Sequence, residues 1–372
     1  MVKSIGYIIF AIIYYIGCIF HVDNNLFFCV MTHDGSDDSS VGVVIKAIRE
    51  RKPDARFVCV RKSDRGGAGL FDLVFKKSAA LARAGTVLMD NEFLPLAYVK
   101  IRKGVKVVQL WHGTGTIKKF GHDANSGRLL GLEKKADSRI THLIVNSEYT
   151  AGLYRGAFGV TEDKVYLTGI PRTDVMFNDD FREKAVRDFY ERYPGLVNKR
   201  LILYAPTFRD EQVTSPRVEL DMEKWCSHMD EDTVLLLRLH PHVADAYDDT
   251  SILQYSDKVQ NVSGYSDLNT LLFVADALIT DYSSIIFEYA LLDRPMYFYA
   301  YDIDVFSEYG RGFYEDYNSF VPGPVAETTE GLIRLVKSGD GYSAIRGQFK
   351  DKFYSYLDGN STKRLLDILL RY

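Results

Sequence analysis

Val105-Lys106-Val107-Val108-Gln109-Leu110-Trp111-His112-Gly113-Thr114 is an apolar run that stops at a histidine followed by a glycine. It reads as a strand running directly into a polar loop. Similar runs recur at 26–31, 56–60, 86–89, 142–145 and 164–167, and then at 200–205, 233–239, 258–262, 277–280 and 296–299. Helical patterns such as 41–51 and 180–192 lie between them. Strands alternating with helices are the signature of parallel α/β domains. Gly169, Pro171 and Asp174 break the series, which places a domain boundary shortly after them. The expected division is an N-terminal segment 1–22, a first domain 23–178 and a second domain 179–372.

The chain has 372 residues, which suits two α/β domains better than one core. A hydrophobic share of 47% and a charged share of 26% are those of a globular protein. The net charge of -4 argues against a dedicated nucleic-acid binder, which needs a basic excess or a concentrated basic face. Positive charge is locally concentrated in Lys100, Arg102, Lys103 and Lys106, in Lys118 and Lys119, and in Lys134 and Lys135. These groups read either as a solvated face or as a surface for anionic lipid or an anionic acceptor. Cys18, Cys29, Cys59 and Cys226 form no C-x-x-C pair and read as reduced, buried residues of a cytosolic protein. No H-x-x-x-H pair is present, and no metal site is expected. Gly66-Gly67-Ala68-Gly69 lacks the lysine of a phosphate-binding P-loop.

Residues 5–20 are almost wholly apolar. The run is shorter than the ~20 residues of a spanning helix, and no clear cleavage site follows it. A membrane-surface helix is expected first, a buried structural helix second and a true span last. Tyr7, Tyr14 and Tyr15 suit an interfacial position, where a ring is half wet.

In open parallel sheets the ligand lies beyond the carboxyl ends of the strands, and the unusual polar residues of this chain collect there. His112 is a candidate general base, because its intrinsic pKa is near working pH; the alternative is a loop cap. Gly113 and Gly115 permit close backbone approach to a ligand, and Lys118 and Lys119 follow. In Tyr204-Ala205-Pro206-Thr207-Phe208-Arg209-Asp210, Arg209 is a candidate phosphate fork, weighed against an ordinary surface arginine. In Arg238-Leu239-His240-Pro241-His242, strand alternation puts Arg238 and His240 on one face, where two donors suit a pyrophosphate. The alternative is that they pair with buried carboxylates. Thr280-Asp281-Tyr282-Ser283-Ser284 is a strand-to-helix turn whose helix N-terminus favours an anion. Ser283 or Ser284 is equally suited to cap that helix. Glu288, one turn further, is placed to accept from ribose hydroxyls.

Trp111-His112-Gly113-Thr114, Tyr204-Ala205-Pro206-Thr207, Arg238-Leu239-His240-Pro241 and Thr280-Asp281-Tyr282-Ser283-Ser284, in this order, resemble the CDP-glycerol glycerophosphotransferase family of teichoic acid and related polymer synthesis. Asp293-Arg294-Pro295 and Arg311-Gly312-Phe313-Tyr314 look like that family too. Thr114-Gly115-Thr116 departs from the Thr-Pro sequence expected after the histidine, and glycine leaves that loop freer. The resemblance implies a B-type glycosyltransferase fold, two Rossmann-like domains facing a cleft, with an N-terminal apolar membrane-associating helix. It implies that the donor sits mainly on the second domain and the acceptor on the first. It also implies metal-independent transfer without a cofactor, CDP-glycerol being the donor substrate, and monotopic attachment at the cytoplasmic face of the membrane.

Carried over, His112 matches the catalytic base, His240 the histidine near the donor phosphates, and Ser283 with Ser284 the donor phosphate loop. Thr207, Arg209, Arg238, Thr280, Asp281 and Glu288 complete the expected donor side; Gly113, Thr114, Lys118 and Lys119 form the expected acceptor side. The implied acceptor is undecaprenyl-diphosphate-linked or a polymer, and the chain's length is nearest the short primase-type members. CDP-ribitol transfer, capsule polyol-phosphate polymerisation, nucleotide-sugar glycosyl transfer and a non-catalytic membrane scaffold are the alternatives.

Overall fold

A computed structural model describes residues 2–207, 209, 217–244, 250–309 and 312–371. The chain forms two compact units. The first comprises Met1–Gly115, Lys119–Asp174 and Phe353–Tyr372; the second comprises Thr116–Lys118 and Val175–Lys352.

The first unit opens with α1 (Val2–Gly17). Its strands are β1 (Asp23–Met31), β2 (Arg56–Arg61), β3 (Ala84–Met89), β4 (Lys106–Gln109), β5 (His142–Val145) and β6 (Val165–Leu167). They lie in the order β2-β1-β3-β4-β5-β6, and every pairing is parallel. The chain runs outward from β1 to β2, then returns to the other side of β1 as β3. The carboxyl ends of β1 and β3 therefore flank the topological switch point of the sheet. Both faces are covered, which is why β3 is buried at all six positions. The helix α2 (Ser40–Arg51) packs on one face, capped by the Ser39 hydroxyl, which accepts from the Gly42 N–H at 3.1 Å.

The C-terminal segment departs from the expected division at 178/179, since the last twenty residues pack with the first unit. The helix Ser361–Leu369 carries Leu365, Leu366 and Leu369 into the core formed by Phe27, Val44, Ile48 and Leu88. Its start is capped from far away in sequence: the Asp174 carboxylate accepts from the N–H groups of Ser361 and Thr362 at 2.9 and 2.8 Å. Its last carbonyls accept from Lys106 Nζ. Lys106 thus caps a helix end rather than belonging to a lipid-facing group.

The second unit holds β7 (Arg200–Tyr204), β8 (Thr233–Leu237), β9 (Val259–Asn261), β10 (Ala277–Thr280), β11 (Met296–Tyr299) and β12 (Val325–Ala326). The order is β12-β11-β10-β7-β8-β9, again parallel throughout. Here the switch point falls between β7 and β10. The core includes Ile202, Trp225, Leu235, Ile279 and Leu332.

The helix α1 is two-faced. Phe10 and Tyr14 are each 1% exposed, and the Tyr14 hydroxyl donates to the Lys100 carbonyl at 2.9 Å. Tyr14 is therefore a core residue and not an interfacial one. Gly17 lies so close to the helix Ser78–Arg83 that a Cβ would come within 2.8 Å of Ala82 Cβ. On the other face Ile5, Ile8, Ile12, Ile16 and Ile19 form an exposed apolar stripe at helical spacing. No helix among the described residues is long and apolar enough to cross a membrane.

Candidate active site

The first group of polar residues surrounds the switch point of the first sheet. Asp90 follows β3, and its carboxylate is the anchor. It accepts from the N–H groups of Thr32 (3.0 Å), His33 (3.2 Å) and Asp34 (3.1 Å), which holds the loop after β1 across the sheet's edge. Burial raises the Asp90 carboxyl to about 6, although the same three N–H groups pull it down.

The loop after β4 is built by strain and stacking. Trp111 has φ 56, a left-handed conformation costing a non-glycine residue roughly 1–2 kcal/mol. The buried Gln109 side chain accepts from the Trp111 N–H at 3.0 Å and holds the turn. The indole stacks on Phe120 at 4.8 Å and meets Phe158 edge-on at 5.2 Å. Strained backbone held this firmly is characteristic of functional turns. Gly113 is required, because a Cβ there would come within 2.9 Å of the Gly115 carbonyl oxygen.

His112 is the product of this construction. Its Nδ1 lies 2.9 Å from the Asp90 carbonyl oxygen. A carbonyl can only accept, so Nδ1 carries the hydrogen and Nε2 of the neutral ring carries the lone pair. The ring also lies against Trp111 at 4.0 Å and stacks on His33 at 3.6 Å, with planes 10° apart. Arg172 Nη1 donates to the His112 carbonyl at 3.0 Å and fixes the backbone. Thr114 is fully buried, and its side chain forms part of the loop's interior rather than an acceptor-facing surface.

The second unit repeats the arrangement. Asp281 follows β10 as Asp90 follows β3. Its carboxylate accepts from the Thr207 N–H at 2.8 Å and from Arg209 Nη2 at 3.0 Å, holding the loop after β7. Arg209 is only 8% exposed, and its fork is spent inside the protein. Nε and Nη2 donate to Asp302 at 2.7 and 2.9 Å, and Nη1 donates to the Thr207 carbonyl at 2.6 Å. Burial disfavours the charge, but the Asp302 and Asp281 carboxylates outweigh it and raise the guanidinium's pKa. Arg209 and Asp281 therefore brace the loop, whereas the sequence had placed both on the donor. Thr280 is fully buried and donates to the Ala205 carbonyl at 2.7 Å, a stitch between β10 and the end of β7. Glu288 is 7% exposed, within the helix Ile285–Ala290.

Arg238 and His240 do not alternate on a strand as expected, because β8 stops at Leu237. Beyond it the Leu239 N–H donates to the Ser263 hydroxyl at 2.9 Å, ending the ladder. Arg238 Nη1 donates to the Tyr265 carbonyl at 2.6 Å. His240 precedes the turn Pro241–Ala244 and shares a recess with Tyr204, Thr207, Leu239 and Tyr301. Ser283 is half-buried and Ser284 exposed. The helix they begin has six residues, and no side-chain hydroxyl bond is formed by Ser284 at its cap. Lys118 belongs to the second unit, with Nζ 5.2 Å from the Phe306 ring centre, while Lys119 is half-buried in the first. Phe208, Asp210 and Arg311, and the side chain of His242, lie outside the described residues.

Residues 13–371 match the model of the CDP-glycerol:poly(glycerophosphate) glycerophosphotransferase family. The chain belongs to this family. It resembles a teichoic acid glycerol-phosphate primase of Bacillus subtilis (strain 168), 34% identical over 76% of this chain and 72% of the relative. It resembles equally a teichoic acid poly(ribitol-phosphate) polymerase of Bacillus spizizenii, 37% identical over 76% of this chain. That match spans 46% of the polymerase, so the chain covers about half of that relative's length. Among solved structures, a histidine-to-alanine variant of the wall teichoic acid polymerase TagF superposes with a TM-score of 0.80 at 25% identity, over 94% of this chain and 89% of that one. The expected family, transferase class and α/β fold with two parallel sheets accordingly stand.

Sequence reasoning missed His33, Asp90, Arg172 and Asp302, all of which shape these loops. The rule that ligands gather at strand carboxyl ends would have singled out His33 and Asp90, each of which lies within two residues of such an end.

Proposed function

We propose that this glycerophosphotransferase moves glycerol phosphate from CDP-glycerol to a hydroxyl of a lipid-linked or polymer acceptor, releasing CMP. The observation that carries the reading is the Nδ1 contact of His112 with the Asp90 carbonyl. It leaves Nε2 as the basic nitrogen at the switch point of the sheet. The His112 Nε2 lone pair takes the acceptor's hydroxyl proton as that oxygen bonds to the phosphorus bearing glycerol. The bond from this phosphorus to the bridging oxygen breaks, and the electron pair leaves with CMP.

His240, Arg238, the Thr207 hydroxyl, Ser283 and Ser284 are the groups of the second unit assigned here to the donor, beside the recess that His240 and Thr207 line. They would stabilise the charge that grows on the leaving phosphate. The test is His112→Ala. Turnover should fall by about 100-fold or more, while CDP-glycerol affinity stays near wild type. Normal turnover would remove His112 from the mechanism.

CDP-ribitol is the second reading, because a poly(ribitol-phosphate) polymerase is among the relatives. Parallel assays with the two donors decide between them by their kcat/KM ratio.

Attachment to the cytoplasmic face of the membrane is part of the proposal. The stripe Ile5, Ile8, Ile12, Ile16 and Ile19 supports it, as do the exposed Phe20 and Phe71. Each such side chain gains on the order of 1 kcal/mol on leaving water. Because Phe10 and Tyr14 are core residues, substitution is a cleaner test than deletion. Ile8, Ile12 and Ile16 changed together to Ser should reduce binding to anionic liposomes and leave the melting temperature unchanged. Undiminished binding would rule the stripe out as the anchor.

A further inference from the structure

We propose that His33 is a positioning residue for the base, its imidazole face orienting the His112 ring and stabilising the imidazolium formed when His112 takes the acceptor's proton. The proposal rests on the reading of His112 as general base.

Two stacked rings could act in three ways, and the geometry chooses among them. With centroids 3.6 Å apart and planes 10° apart, the ring nitrogens lie in parallel planes. Imidazole N–H bonds and lone pairs point along the ring plane, so no N–H···N bond joins the two residues and a proton relay is excluded. Simple loop filling would not require contact with the reacting ring. What remains is face-to-face contact, which restricts rotation of His112 about its Cβ–Cγ bond. That rotation would break the Nδ1 contact with the Asp90 carbonyl, held at 2.9 Å.

The same contact matters when charge develops. A neutral aromatic face attracts a cation within about 6 Å of its centre, whereas a protonated His33 would repel it. The surroundings keep His33 neutral. Burial against the loop lowers its pKa, and Lys62 from the turn after β2 and Arg172 from the loop after β6 add to this. Asp34, on its own loop, pulls the other way. The Asp90 carboxylate is occupied by the backbone N–H groups of this loop, including that of His33 itself. His33 therefore meets a nascent imidazolium as an uncharged face.

Position 33 variants separate these roles by charge rather than by size. His33→Ala should lower kcat by about 10-fold and leave CDP-glycerol affinity unchanged. His33→Phe keeps a neutral face and should restore kcat to within about 3-fold of wild type. His33→Arg places a permanent cation on the ring and should be the slowest of the three. In the acid limb of kcat/KM, His33→Phe should lack one of the protonations that wild type shows. A variant set in which Phe, Ala and Arg all match wild type, while His112→Ala is inactive, would overturn the role of His33 and leave the base intact. Activity in His112→Ala would instead overturn the base reading. Should Ala destabilise the loop, the order of Phe and Arg still decides, because a structural role ranks them by fit and gives no change in the acid limb.

Discussion

Removing the Arg209 guanidinium should unfold the second unit more readily long before it affects recognition of a nucleotide. The side chain is 8% exposed and spans three carboxylate contacts of 2.7, 2.9 and 3.0 Å to Asp302 and Asp281. Its aromatic surroundings, Tyr282 and Phe306, each have ring centres 5.1 Å from the guanidinium carbon. Arg209→Ala leaves Asp281 buried without its cation, and breaking a buried pair from one side costs about 3–5 kcal/mol. In a unit of this size about 1 kcal/mol moves the midpoint by roughly 2–4 °C, so a drop of about 6–20 °C is expected. Arg209→Lys keeps the charge but not the fork and should fall between. Calorimetric melting measures the first quantity, and titration with CDP-glycerol well below the midpoint measures the second. An unchanged midpoint together with a tenfold or greater loss of donor affinity would refute the bracing role and make Arg209 a donor ligand.

Further expectations follow from other parts of the molecule. The folded protein holds the Asp90 proton to about 6, against 3.8 for an unfolded carboxyl, so this group's contribution to stability grows as pH falls from 6 toward 4 and is flat above 6. Asp90→Asn has no proton to gain, and the wild-type unfolding free energy, read from urea titrations, should rise relative to it by up to about 3 kcal/mol as pH falls across that window; parallel curves would contradict the assignment. Asp174→Ala removes the distant cap of the helix Ser361–Leu369 and should cost about 1 kcal/mol, read as faster amide exchange in that helix; unchanged exchange would mean the cap contributes nothing. Burial pushes the Glu92 and Asp137 carboxyls up, with Glu133 adding to both, so Glu92→Gln should melt at least as high as wild type at pH 8, and a lower midpoint would mean that the charge is needed. Activity should survive EDTA, because the family resemblance implies metal-independent transfer; loss on chelation with rescue by magnesium would sink that expectation.

What could be read in advance was set by local pattern. The strand that ends at Gln109, the glycine after His112 and the serine turn after Thr280 follow from apolar runs and turn chemistry. Those signals are carried by neighbours in sequence. The brace between Arg209 and Asp302 joins residues 93 apart, and the stack of His33 on His112 joins β1 to β4. Nothing local marks either pair, because sheet order alone brings them together. Arg209 reads as an exposed fork for the same reason: a sequence shows the donor but not the carboxylates that meet it. The C-terminal helix shows the same limit. Its partner α2 lies some three hundred residues upstream, and distant contacts, among them those of Asp174, Lys106 and Arg51, fix where it lands.

The most direct measurement is a turnover assay with CDP-glycerol and a defined lipid-linked acceptor, read by mass spectrometry for wild type and His112→Ala side by side. The account predicts acceptor heavier by whole glycerol phosphate units with one CMP released per unit for wild type, and about one-hundredth of that rate or less for the variant. Product formed by His112→Ala at the wild-type rate would contradict it.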